Sequence, residues 1–240
     1  MKVKALAVDI DGTLTENGNG KVHLGSLSML RTMEKVGCRV IYVTGRSSIE
    51  AYVLSVFGGT TRIAVGENGG VVTISPDEHR PLIDISHSVR AYEFLRSRID
   101  NVKMKPVFTR MTEVVLERTF DTTIAAQMLK ESNLPVIISD SKFAYHLNHE
   151  SINKSVGFNV ALELLGIEPK ESIAIGDSET DVPLFNVCGY SIAMGNAGDD
   201  VKASAKHSVK NNDGNGLVEA LDHIAWNFLG VKDGIQTFNQ

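Results

Sequence analysis

The sequence predicts an α/β protein, a doubly wound parallel sheet with a smaller inserted α+β domain. Three observations predict it. Short buried strands alternate with amphipathic helices from residue 3 to residue 65, and the same rhythm returns from residue 154 to residue 194. Between them, a stretch rich in proline and charge is followed by paired strands and helices in a different order. Strands separated by helices require right-handed crossovers, and so a parallel sheet.

Val3 to Ile10 (VKALAVDI) is apolar with acids only at its C-terminal end, the pattern of a buried parallel strand that opens onto a site. Leu24 to Val36 places Leu27, Leu30 and Met33 at helical spacing, and Gly37 stops the helix. Arg39 to Val43 is a second buried strand, Ser47 to Phe57 a helix, and Arg62 to Val65 a strand. Ser75 to Pro81 (SPDEHRP) reads as a linker. After it come a helix from His87 to Ile99, strands near Lys105 to Arg110 and Val114 to Thr119, a helix from Thr122 to Ser132, and strands at Val136 to Ser139 and Phe143 to Asn148. That order describes a small, mainly antiparallel sheet, placed at residues 81–150, with residues 1–80 and 151–240 forming the larger domain. Lys154 to Leu165 carries Phe158, Ala161, Leu162 and Leu165 on one stripe; Ser172 to Ile175 is a strand, Val182 to Val187 helical, and Tyr190 to Met194 a strand. The final residues, VKDGIQTFNQ, read as a frayed tail.

With 240 residues, 42% of them hydrophobic and 22% charged, the chain has enough apolar surface for a sizeable core. A formal net charge of -5 argues against an extended nucleic-acid partner, which would need a basic face. Cys38 and Cys188 lie far apart and outside any CxxC spacing, so neither a disulfide framework nor a zinc site is expected. The apolar run at the N-terminus meets aspartates before reaching signal-peptide length, and no stretch has the roughly 18 apolar residues of a membrane span. A cytoplasmic protein without a membrane partner is expected; a homodimer is compatible with the sequence.

Asp9 and Asp11 stand two apart at a strand end, on one face while the chain is extended. Carboxylates so close are tolerated if one is protonated or a cation lies between them. Gly12 permits a tight turn whose N–H groups form an anion-binding concavity. Thr44, in VTGRS, ends the second strand, so its hydroxyl and the N–H of Gly45 can donate to a phosphate oxygen beside Asp9. Lys154 opens the helix after the insert, where an ammonium acts as a point charge on phosphate. GDSETD, Gly176 to Asp181, puts Asp177 at a strand end and Asp181 at a helix start. Taken singly, each has an ordinary reading: an Asp-Gly turn, a strand-to-helix connection, a solvated lysine, an acid favoured by a helix dipole. Together they supply a nucleophile, donors, a cation and oxygen ligands for phosphoryl transfer, and magnesium suits an oxygen-only set.

DIDGT, VTGR, INK and GDSETD, in that order, resemble the four motifs of the haloacid dehalogenase (HAD) superfamily of phosphatases, whose core is Rossmann-like. The αββαββ insert is similar to the second-type (C2) cap of the sugar-phosphatase-like branch, in which ENGG (Glu67 to Gly70) and MGNA (Met194 to Ala197) recur. The resemblance implies Asp9 as nucleophile and metal ligand, and Asp11 as general acid/base offering its backbone carbonyl to the metal. It implies Thr44 and Lys154 as phosphate ligands, and Asp177 as a metal ligand, with Asp181 touching the Mg2+ directly or through a neighbour. Two positions depart from the branch's pattern: Thr180 stands where asparagine is common, and Ser155 where glycine is frequent.

The expected chemistry has two steps. Asp9 attacks phosphorus while Asp11 protonates the leaving alkoxide, and Asp11 then activates water against the aspartyl phosphate. The insert is expected to read the leaving alcohol of a small phosphorylated metabolite, with Arg110, Arg118, Lys142 and His146 as unranked candidates. The chain's length and the FAYHL segment before INK resemble archaeal-type phosphoglycolate phosphatases, which implies hydrolysis of 2-phosphoglycolate to glycolate. Two alternatives stand beside this: a sugar-phosphate phosphatase or phosphomutase on the same fold, and a receiver-like phospho-switch, whose output surface the insert would obstruct.

Overall fold

The computed structural model describes residues 1–16, 20–141 and 143–230. Lys142 and the tail from residue 231, both singled out in the sequence, lie outside the described residues.

The first half of the larger layer comprises β1 (Ala5–Val8), α1 (Leu24–Lys35), β2 (Arg39–Val43), α2 (Ser48–Gly58), β3 (Ala64–Gly66), β4 (Val71–Thr73) and β5 (His79–Pro81). The smaller layer comprises α3 (Ser86–Arg96), β6 (Val114–Leu116), α4 (Thr122–Glu131), β7 (Val136–Asp140) and β8 (Tyr145–His149). The larger layer resumes with α5 (Lys154–Leu165), β9 (Ser172–Gly176), α6 (Val182–Val187), β10 (Tyr190–Ala193), α7 (Asp199–Ser204), β11 (His207–Ser208) and α8 (Asp213–Phe228). Among the described residues the main sheet has the order β11-β10-β9-β1-β2-β3-β4-β5, and the small sheet β6-β8-β7. Pairing is parallel from β11 through β3 and antiparallel from β3 to β5. No helix of the described residues is long and apolar enough to cross a membrane.

Alternation along the central strand separates two core layers. Leu6 and Val8 of β1 pack with Met29, Leu30 and Met33 of α1 and Leu217, Leu221 and Ile224 of α8. Ala5 and Ala7 face Phe158, Ala161 and Leu162 of α5, with Leu184 and Phe185 of α6. Helices therefore cover both faces, as a buried parallel sheet requires. A third cluster, from Ala91 and Leu95 of α3 and Ala125 and Leu129 of α4 to Leu116 and Leu147, holds the small sheet on its helices.

Two local expectations are corrected. SPDEHRP is a hairpin instead of a linker: β4 pairs with β5, Val71 opposite Pro81 and Thr73 opposite His79. Proline is tolerated there because β5 is the edge strand among the described residues, with no further strand of theirs to receive its missing N–H. The strand expected over Lys105 to Arg110 shrinks to a bridge at Met104 opposite Leu116, flanked by Lys105 N–H donating to Val115 O at 2.9 Å. Pro106 follows at once and has no N–H to extend the ladder.

Candidate active site

The register of the parallel sheet gathers the site. Val8 aligns with Tyr42 on one side and Ile175 on the other, so the chain leaves β1, β2 and β9 at one edge. Asp9, Thr44 and Asp177 are the residues that emerge there, at the carboxyl ends where open α/β sheets bind ligands.

Asp9 is buried, and its N–H donates to Ile175 O at 3.0 Å. After it, Leu14 and Thr15 N–H both donate to Ile10 O at 2.9 Å, closing a tight turn. Gly12 is needed in that turn: its φ is +83°, and a Cβ would lie 2.5 Å from Asp177 Oδ2. On the opposite side, Gly176 has the same kind of constraint, since a Cβ there would meet Asp181 Cγ at 2.3 Å.

Lys154 begins α5 just after Asn153, whose side chain accepts from Ser155 N–H at 3.0 Å and caps the helix. Its side chain is 2% exposed, and Nζ donates to Asp9 Oδ1 at 2.7 Å and to Asp181 Oδ1 at 2.6 Å. Burial works to lower the lysine pKa, but the ion pairs with Asp181 and Asp9 outweigh it and hold the ammonium above its usual range. Burial pushes the Asp9 carboxyl well above the usual carboxylate range; Lys154 counters this, while Asp181 and Asp177 add to it.

Asp181 Oδ2 accepts from Asp177 N–H at 3.1 Å, from Ser178 N–H at 3.0 Å and from Ser178 Oγ at 3.0 Å. With Oδ1 on Lys154, this carboxylate fixes its own turn and holds the lysine toward Asp9. Thr180, the departure noted in the sequence, shares a 2.8 Å hydrogen bond with Ser178, so its hydroxyl serves the same turn.

Asp9, Asp177 and Asp181 offer carboxylate oxygens that all lie within 4.8 Å of one another. One lysine faces three acids, so the set is anionic, hard and made of oxygen, which fits a magnesium ion. Thr44 is buried; its N–H donates to Val65 O at 3.0 Å, and its Oγ1 accepts from Arg46 N–H at 3.1 Å, leaving the hydroxyl proton available to a ligand. A Cβ on Gly45 would approach Asn68 Oδ1 to 3.2 Å, so a small residue suits this loop.

Asp11 stands apart from the carboxylate cluster. Its two oxygens take a fork from Arg46, Nε at 2.7 Å and Nη2 at 2.8 Å, while Arg46 Nη1 reaches Glu50 Oε1 at 3.1 Å. Glu50 is itself fixed by the capping box with Ser47 at the start of α2. Arg46 sits within the quoted VTGRS, yet its fork to a residue 35 positions earlier has no sequence signal.

Two more residues escaped the sequence reading. Asn196, in MGNA, donates to Gly12 O at 2.9 Å and to Asp177 Oδ2 at 3.0 Å, and accepts from Asp213 N–H at 2.9 Å, bracing both turns. Glu67, in ENGG, is buried and accepts from Met111 N–H at 3.0 Å, and from Thr112 N–H and Oγ1 at 2.8 Å, tying the small layer to the core. Of the insert residues, Arg110 donates to Gly45 O at 2.9 Å, while Arg118 pairs with Asp140 at 2.8 Å near the Tyr145 ring.

A family model described as haloacid dehalogenase-like hydrolase matches residues 6–97 and 84–221. A phosphoglycolate phosphatase of Nitrosopumilus maritimus is 50% identical over 225 residues, covering 94% of this chain and 97% of that one. A phosphoglycolate phosphatase of Methanosarcina acetivorans is 32% identical over 228 residues, covering 95% and 99%. A crystal structure from Thermoplasma acidophilum superposes with a TM-score of 0.83 at 22% identity, covering 93% of this chain and 98% of that one, and shares the fold.

Proposed function

Since the chain belongs to the haloacid dehalogenase-like hydrolases, we propose that it is a magnesium-dependent phosphatase that hydrolyses 2-phosphoglycolate to glycolate and phosphate through a phosphoaspartate on Asp9. The observation that carries the reading is the buried Asp9 at the end of β1, held by Lys154 and grouped with Asp177 and Asp181. Residues 81–150 act as the cap that reads the leaving alcohol. Phosphoglycolate is favoured over a sugar phosphate by the names of relatives matched along nearly their whole length. Two free, buried cysteines accord with a cytoplasmic setting.

Asp9 Oδ1 is occupied by Lys154, which leaves Oδ2 as the attacking oxygen. It displaces the alcohol in line; the P–O bond to glycolate breaks, and the mixed anhydride with Asp9 forms. Thr44 Oγ and the Gly45 N–H donate to the phosphoryl oxygens, and the Lys154 ammonium offsets their charge. Asp11 delivers a proton to the leaving oxygen, then takes one from the water that attacks phosphorus and frees Asp9. Both Asp11 oxygens are held by the Arg46 fork, and at least one arm of it must be released when Asp11 carries the proton. Asp9, Asp177 and the Asp11 carbonyl, with Asp181 directly or through a neighbour, would hold magnesium, which would neutralise charge on the carboxylates and the phosphate.

The test is a panel of small phosphomonoesters assayed for kcat/KM under multiple turnover with magnesium. The account expects 2-phosphoglycolate to lead. A marked preference for a hexose phosphate would overturn the substrate, a single stoichiometric phosphorylation would indicate a switch, and transfer to an added sugar phosphate in place of water would indicate a mutase.

A further inference from the structure

We propose that Arg110 is the residue that binds the carboxylate of the substrate, through the Nε–Nη2 edge of its guanidinium; this rests on the phosphoglycolate reading above. Four insert residues were open candidates from the sequence. Arg118 is committed elsewhere, to Asp140 and the ring of Tyr145, and Tyr145 packs on the helix-facing side of the small sheet. His146 lies on the opposite side of that sheet but is spent: Nδ1 faces Glu113 Oε2 at 3.0 Å and Nε2 faces Ser141 Oγ at 3.0 Å. Lys142 lies outside the described residues.

Arg110 differs in reaching the core. Its Nη1 donates to Gly45 O at 2.9 Å, in the loop whose Thr44 hydroxyl and Gly45 N–H are the proposed phosphate donors. The same Nη1 lies 2.9 Å from Glu113 Oε1. One nitrogen thus takes both protein contacts. Nε is buried without a partner, and Nη2 makes no hydrogen bond to the described residues, although the side chain is only 9% exposed. A buried donor left unpaired is costly, and the Nε–Nη2 edge is a parallel two-donor fork that matches a carboxylate.

The acid beside it is held in place by other groups. Glu113 is 1% exposed, and its Oε1 meets Arg110 as an ion pair without a hydrogen bond. Its Oε2 faces His146 at 3.0 Å and, with its amide oriented to suit its neighbours, Asn148 at 2.8 Å. The backbone tie from Glu67 to Met111 and Thr112 then fixes where the guanidinium stands relative to the phosphate loop.

The experiment compares kcat/KM for 2-phosphoglycolate and for 2-hydroxyethyl phosphate, which replaces the carboxylate by a neutral alcohol, in wild type, R110K and R110M. The preference for phosphoglycolate is expected to fall about 100-fold in R110M, because a fork built for a carboxylate is lost, with R110K intermediate. If R110M does not fold, R110M/E113Q, which removes both charges of the pair, takes its place. Equal losses on the two substrates would overturn the proposal and leave Arg110 as a tether to Gly45. A wild-type enzyme with no preference for phosphoglycolate would instead overturn the substrate reading, and this proposal with it.

Discussion

Lys154 Nζ lies 2.7 Å from Asp9 Oδ1, inside a core where neither side chain is more than 5% exposed. A lysine so placed holds the Asp9 carboxylate in one orientation and offsets its charge, and its second bond to Asp181 ties β1 to the turn after β9. Lys154→Met strands two buried carboxylates. Turnover is expected to fall by about 1000-fold, and stability without metal by about 3 kcal/mol. Magnesium should raise the melting temperature of the variant more than that of wild type, because the ion becomes the main counter-charge. Equal magnesium effects would show that the lysine and the metal do not share this charge.

Glu67→Ala removes the acceptor for Met111 N–H, Thr112 N–H and the Thr112 hydroxyl. Buried donors left unpaired cost about 1–3 kcal/mol each in the worst case. Amide exchange at Met111 and Thr112 should accelerate while α5 and the central strands stay protected. Unchanged exchange there would mean that Glu67 does not hold the cap segment.

Gly69→Ala tests the seam between ENGG and Lys154. Gly69 has a φ of +99°, and a Cβ would come 2.0 Å from Asn153 O, which is backbone and cannot swing away. A loss of about 3 kcal/mol is expected from strain and forced displacement of the α5 start. Gly37→Ala is the control: it also has positive φ, but its Cβ would meet nothing within 4 Å, so only the backbone penalty remains.

The cysteines should be inert. Burial pushes both the Cys38 and the Cys188 thiol up to about 12. Because the thiolate is the reactive form, a thiol reagent at about pH 8 should modify neither in the native protein and both after unfolding. Raising pH toward the folded-state pKa should expose reactivity; rapid labelling at neutral pH would contradict the burial.

What the sequence disclosed and what it hid follow one physical line. The shared placement of Asp9, Thr44 and Asp177 is legible because strand ends in a parallel sheet align, so polar residues closing apolar runs come to one edge. Lys154 was legible as the first residue of an amphipathic helix. The fork from Arg46 to Asp11, the brace of Asn196 and the Glu67 tie join residues far apart in sequence, and spacing carries no such information. The hairpin at β4 and β5 was hidden for a different reason. Its proline and charges look like a linker unless the edge position that accommodates them is known.

The most direct test of the account is turnover by Asp9→Asn, measured on 2-phosphoglycolate with magnesium and set beside its thermal unfolding. The account predicts a folded protein with phosphate release no greater than background, since the amide cannot form the phosphoaspartate. Substantial steady turnover by the folded variant would contradict it.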